Sequence, residues 1–349
     1  MTSVRCQQAG LSVRVLEAAE RIGGRVHSVY SESTGNLKQS SYLADLGPTW
    51  VWPPYQAAVQ SVLEDHKLQL IEQYNKGAAV IERPNESSQL HQLPGQHGMS
   101  RLQGGPQSIV NALAAELHDD TILLNSEVNS VSDKTDYIEV KDKQHTIHAR
   151  TVVVAAPLRV TSERITFTPN LSDNHQQLMA SAATWMATQA KAVLIYRKAF
   201  WRDNNLSGRV ASQIGPLTEV HDHSGVDGNP AALFGFIGVT AKARSEHSEQ
   251  LQQAIVKQMV RCFGDQAADP ERVIIEDWAT NSYICTQRDL DEIPQHPGVL
   301  AELIRENCWD GRLLFASAET AVISPGLIDG ALEAGNRAAE ALISSINTS

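Results

Sequence analysis

The residues best placed to do chemistry stand in one short stretch, Val13-Arg14-Val15-Leu16-Glu17-Ala18-Ala19-Glu20-Arg21-Ile22-Gly23-Gly24-Arg25. Val13, Val15 and Leu16 make an apolar, β-prone run that ends on Glu17. An acid at the C-terminal end of a strand can accept hydrogen bonds from ribose hydroxyls. Gly23 and Gly24 let a backbone approach a ligand closely, because no Cβ intervenes. Arg21 and Arg25 flank them, and a guanidinium grips phosphate oxygens in a bidentate way. Together these residues point to an adenine dinucleotide. A buried strand running into a solvated charged turn fits the same residues, so the stretch alone leaves both readings open.

The elements that must position these residues follow along the chain. Ala44-Asp45-Leu46-Gly47-Pro48-Thr49-Trp50 is a strand end followed by glycine and a small hydroxyl residue. That suits a loop passing along a flat ring, or an ordinary Gly-Pro turn. Apolar spacing predicts helices over 55–66, 107–117, 171–183, 248–263 and 332–343. Strands are expected at 122–124, 128–131, 190–196, 231–239, 273–278 and 313–316, with a buried one at 151–156. Residues 137–149 read as a hairpin, and the polar residues 75–100 as a loop or a short insert in a substrate domain. Lys191 near the start of its strand reads, by itself, as an exposed edge charge.

Composition narrows the classes. The chain has 349 residues, 42% of them hydrophobic, enough for two domains with ordinary cores. A formal charge of −11 disfavours nucleic acid as a partner and is compatible with a cationic substrate. Cys6, Cys262, Cys285 and Cys308 show neither a CxxC nor a metal-ligand spacing, so reduced thiols, no metal and a cytoplasmic setting are expected. No apolar run approaches the roughly 18 residues of a membrane span, and no signal peptide or membrane anchor is expected.

The motif Leu16-Glu17-Ala18-x-x-Arg21-x-Gly23-Gly24-Arg25-x-x-Ser28 resembles the second-strand motif of the flavin-containing amine oxidases, the monoamine and polyamine oxidase group. The resemblance runs from Gly10 to Leu342. It implies an α/β fold with a Rossmann-like FAD-binding domain (residues 1–52, 101–160 and 298–349). A substrate domain of mixed sheet plus helices would take 53–100 and 161–297. It also implies FAD contacts at Glu17, Arg21, Gly24 and Arg25, a loop beside the flavin ring at Gly47, Thr49 and Trp50, and an adenine contact at Val128. Lys191, followed by Phe200-Trp201, is similar to the family's lysine strand, which places the lysine near the flavin N5 edge as a catalytic group. Glu319 would bind the ribityl or pyrophosphate region. Gly326, Leu327 and Ile328 would bring a helix N-terminus under the ring, where its dipole favours the anionic reduced form. The implied reaction is hydride transfer from a small amine to FAD and reoxidation by oxygen, giving an imine and hydrogen peroxide.

The departures from that pattern carry their own expectations. The ribose acid should follow a GxGxxG loop by roughly 20 residues. Counting back from Glu17 by that amount passes Met1. The first strand and its loop are therefore expected to be missing, with Met1–Ala9 the last turns of a helix stopped by Gly10. Ala19 stands where an arginine often helps hold phosphate, Ser317 where glycine is usual, and Leu327 where many amine oxidases have a cage tyrosine. Cys285 lies outside the context used for covalent attachment, so FAD is expected to be non-covalent. Two other readings stay open: an inactive remnant unable to hold FAD, and a flavin desaturase or porphyrinogen oxidase, which shares the Gly-Gly-Arg motif.

Overall fold

The computed structural model describes residues 1–31, 41–95, 97–306 and 308–347. Its largest sheet runs Arg272–Asp277, Ala190–Tyr196, Ala231–Ile237, Leu217–Asp222, Leu206–Ser212, Ala78–Glu82 and Gln89–His91. Leu206–Ser212 and Ala78–Glu82 pair in parallel, and the other neighbours are antiparallel. The mixed sheet was expected, but four of its seven strands were not. Residues 75–100 supply two strands rather than only a loop, because Ala79 and Val80 are buried and Val80 joins the main core.

Ala190–Tyr196 is buried along its whole length, as a central strand covered on both faces must be. Ala190, Ala192, Leu194 and Tyr196 pack with Leu251, Ile255 and Met259 of the helix Ser248–Phe263. Val193 and Ile195 meet Ala44, Leu46 and Phe234 on the other face. Strand alternation sends Lys191 to that second face. Lys191 is therefore an interior residue, 3% exposed, and not an edge charge.

Two short parallel pairs lie elsewhere: Val15–Leu16 on Ile122–Leu123, and Val152–Val154 on Leu313–Phe315. They are separate sheets. A cleft passes between them, lined by Val15 and Leu16 from one pair and Val153, Val154 and Leu314 from the other. Pairs this short need outside support. The helix Ile328–Asn347 provides it, setting Ala334 and Ala338 against Leu314 and Ala316. The helix Thr2–Gln8 docks on that helix: Thr2 Oγ1 donates to the Gly335 carbonyl at 2.9 Å, and Arg5 pairs with Glu340 at 2.9 Å. Gly10, at φ +81°, follows as the expected stop. Among the described residues no helix is long and apolar enough to cross a membrane.

Candidate active site

The strand Val15–Leu16 delivers Glu17 to the cleft wall. Glu17 Oε1 accepts from the Ala19 backbone N–H at 2.8 Å, and burial pushes its carboxyl up despite that bond. Arg21 lines the cleft too, but its guanidinium donates to the carbonyls of Gly24 at 2.8 Å and Val26 at 3.0 Å. As placed, Arg21 holds the turn in shape. Gly23 and Gly24 adopt φ +111° and +56°, the left-handed region that glycine enters without a Cβ clash. Arg25 then reaches 160 residues along the chain to the Trp185 carbonyl at 3.3 Å, and its Nη2 lies 2.6 Å from Glu319 Oε1. Residues 17–25 and 319–330 thus meet in space.

Glu319 is fully buried, and among the described residues neither carboxylate oxygen has a hydrogen bond of proper geometry. The Arg25 contact is close but misaligned. A buried carboxylate in that state calls for further donors. Ser317 does not line the cleft, whereas its neighbours Ala316 and Ala318 do, so the departure from glycine there does not narrow it. Gly326, at φ +79°, has Pro297 and Trp185 against it; an added Cβ would lie 2.7 Å and 2.9 Å from their atoms. Leu327 and Ile328 follow at the start of the long helix, both on the cleft wall, and Val128 lines the same cleft. The cleft is about 2340 Å³ in volume.

Lys191 stands on the inner wall. Its Nζ donates to the Gly47 carbonyl at 3.1 Å and to Thr49 Oγ1, and lies 4.1 Å from the centre of the Phe234 ring. Trp50 completes this loop: its Nε1 donates to Gln73 at 2.8 Å, and its ring meets His221 edge-on at 4.7 Å. Gly47 permits the loop's close approach, since a Cβ there would sit 2.1 Å from the Arg25 carbonyl oxygen. Gly47→Ala is therefore expected to cost about 1–3 kcal/mol through overpacking, read as a lowered thermal unfolding midpoint.

Behind the lysine lies a polar cluster that the sequence reading did not assign. Asp45, 1% exposed, ends the strand Tyr42–Asp45 and accepts from Ser28 Oγ at 2.6 Å. His223 Nε2 contacts Tyr42 OH at 2.8 Å and accepts from the Asp45 backbone N–H at 3.0 Å. Burial pushes the Asp45 carboxyl up and the Lys191 ammonium down, and their mutual attraction opposes both shifts. Burial also pushes His223 well below its ordinary value, which leaves it neutral. Asp45 was visible as an acid closing an apolar strand. Glu219, Phe236, Trp185 and Trp278 also line the cleft.

An acid at a strand end, a Gly-Gly-Arg turn, the start of a long helix and a buried lysine meet around one cleft. The family described as flavin containing amine oxidoreductase matches residues 2–91 and 79–343, and the chain belongs to that family. It is 30% identical over 243 residues to a flavin-containing monoamine oxidase A of Dictyostelium discoideum, covering 68% of this chain and 52% of that one. To the flavin-containing amine oxidase A of Sus scrofa it is 26% identical over 259 residues, 71% of this chain and 47% of that one. The aligned part spans about half the length of these curated relatives. Putrescine oxidase bound to putrescine overlays with a TM-score of 0.79 at 18% identity, covering 98% of this chain and 96% of that one. Cyclohexylamine oxidase from Brevibacterium oxydans IH-35A overlays with 0.80 at 17% identity, covering 99% and 96%. At those identities the overlays show the shared fold.

Proposed function

We propose that the chain holds FAD non-covalently in the cleft and oxidises a small amine with oxygen as the acceptor. The observation that carries this reading is the meeting of residues 17–25 with 319–330 on a cleft that also exposes Lys191. The residues fit the cofactor. Glu17 would take ribose hydroxyls, and the oxygens of Glu319, which beside the Arg25 ion pair accept no well-aligned hydrogen bond among the described residues, would take hydroxyls of the ribityl chain. The start of the helix Ile328–Asn347 would set its positive end against the ring. Gly47, Thr49 and Trp50 would lie along the ring, and Val128 would face the adenine. The Cys285 thiol is buried and turned to the Thr286 carbonyl, outside the cleft wall formed by Tyr283 and Ile284, which supports non-covalent binding. Four free cysteines suit a reducing, cytoplasmic setting.

The chemistry such a flavin supplies is two-electron oxidation of a carbon–nitrogen bond to an imine, with hydrogen peroxide as the second product. The chain's own part is to orient and to manage protons. Phe236, Trp50 and Trp278 give the substrate apolar walls that exclude water. Lys191 Nζ, tethered to Gly47 and Thr49, can hold a water or exchange a proton at the inner wall. Asp45 keeps the opposite charge within the lysine's electrostatic reach. The test is titration of the purified chain with FAD, followed by peroxide assays on a panel of amines. Retained yellow absorbance that is lost to the supernatant on denaturation, with peroxide from at least one amine, is the expected result. No retained flavin would favour the inactive remnant. Retained flavin with no peroxide from any amine would favour the desaturase reading, for which Leu327 in the cage position speaks.

A further inference from the structure

The polar cluster behind Lys191 holds more positive charge than it neutralises. Arg101, on the strand Ser100–Leu102, is 3% exposed, and among the described residues it forms no ion pair. Its Nη2 donates to the Ser224 carbonyl, and its Nη1 lies 3.4 Å from His223 Nδ1. Its Nε has no partner among the described residues. An arginine is almost never this deeply buried without a carboxylate in contact.

Contacts join Arg101 to the lysine. His223 stands between Arg101 and Asp45, with Nε2 3.5 Å from Asp45 Oδ2. Phe234 stands between His223 and Lys191: the imidazole meets its ring edge-on at 5.2 Å, and Nζ lies 4.1 Å from the ring centre. The Gly47 carbonyl that tethers Nζ is two residues past Asp45. Burial keeps His223 neutral and holds the proton on the Tyr42 phenol. The fully buried charges are therefore the bases Lys191 and Arg101 and the acid Asp45. The other acids nearby are engaged elsewhere. Asp222 is clamped by Arg202 at 2.7 and 2.8 Å. Glu276 lies opposite Lys191 in the sheet, and Glu219 lies opposite Phe236, the lysine's other neighbour. Each has its own histidine, His27 at 2.9 Å and His221 at 2.6 Å, and each keeps contact with solvent.

One buried acid does not balance two buried cations, and a guanidinium does not release its proton in a protein. The lysine is the base that can. We propose that Arg101 is a positioning residue for Lys191: its fixed charge at the far end of the cluster makes the lysine the group that gives up its proton. The lone pair of the free amine then stands at the cleft wall. The direction agrees with the lysine's surroundings, where burial acts first to lower its proton affinity, Asp45 opposes that, and Arg101 adds to it. The use of that lone pair in a reaction rests on the oxidase reading, whereas the state of the proton does not.

The test is NMR of the full chain, without flavin, with its lysines isotope-labelled at Cε. The Lys191 signal is assigned by its loss in Lys191→Met. In the wild type its shift against pH is expected to turn at a midpoint below the ordinary lysine range. In Arg101→Gln the midpoint is expected to rise by about one pH unit, a tenfold change in acid constant, because removing a like charge favours the ammonium. Arg101→Lys brings an ammonium that can itself release its proton, so the Lys191 midpoint should rise there too. That variant decides the matter if Arg101→Gln does not fold. An ordinary lysine midpoint in the wild type, or an unmoved or lowered midpoint in a folded variant, overturns the proposal. A loss of thermal stability with the midpoint unmoved would leave Arg101 a packing role alone. Profiles of kcat against pH for the flavin-loaded proteins separate this inference from the oxidase reading. A limb that moves with the NMR midpoint supports both. A midpoint that rises while the limb stays in place upholds the role of Arg101 and overturns that of Lys191 in the reaction.

Discussion

Lys191→Met is expected to reduce amine turnover by about 10²–10⁴-fold, the range that a positioned proton-transfer group contributes, with flavin content unchanged by absorbance. The side chain is 3% exposed, and burial works against its charged form. The Asp45 carboxylate opposes that effect without cancelling it. The resulting ammonium loses its proton below the ordinary lysine range. Below that point Nζ can only donate, to Gly47 and Thr49; above it, a lone pair is free to take a proton from water or substrate. The rate is therefore expected to rise with pH through a limb that lies below the usual lysine value, and that limb should be absent from Lys191→Met. Lys191→Arg should be no more active, because a guanidinium does not release its proton. Asp45→Asn removes a nearby anion that holds the proton on, so its limb should move to lower pH still. Profiles of kcat against pH for the four proteins check the whole set. A limb that survives in Lys191→Met would assign it to another group.

What could be read before the structure was the chemistry of the two ends and the burial pattern of single elements. Glu17, Gly23-Gly24 and Arg25 share a short stretch, so their local geometry follows from local rules. The same holds for the helix Ser248–Phe263, whose apolar stripe is its own signal. The partner of Arg25 was not legible, because Glu319 lies nearly 300 residues away and no local pattern ties the two. The strands Leu206–Ser212 and Leu217–Asp222 were missed for a related reason. Ser207, Gly208, Ser212, Glu219 and His221 are poor strand formers by type. They form strands because the sheet supplies ladder partners on both sides. Glu219 was invisible with them: an acid in an unassigned stretch looks solvated, and only the Lys191–Phe236–Glu219 register places it on the cleft. Lys191 misleads in the opposite sense. A charge near a strand's start reads as exposed, yet Gly47 and Thr49 satisfy its donors and allow it to be buried.

Arg25→Ala is expected to destabilise the protein by about 3 kcal/mol, more than a surface ion pair would, because it leaves Glu319 charged, fully buried and alone. The figure belongs at the low end of the range for broken buried pairs, since the Arg25 side chain keeps 22% exposure and solvent shares its charge. Glu319→Gln should cost less, because an amide needs no counter-charge and Arg25 retains the Trp185 carbonyl. The double variant Arg25→Ala/Glu319→Gln should be more stable than Arg25→Ala alone, the reverse of what two independent losses would give. Urea denaturation midpoints of the three variants and the wild type decide it. FAD adds a second reading of the same pair. If ribityl hydroxyls complete the shell of Glu319, saturating FAD should raise the midpoint of the wild type more than that of Glu319→Gln, whose side chain would offer the ligand a single acceptor oxygen. Equal shifts would mean that Glu319 serves the meeting of the two segments and not the ligand held between them.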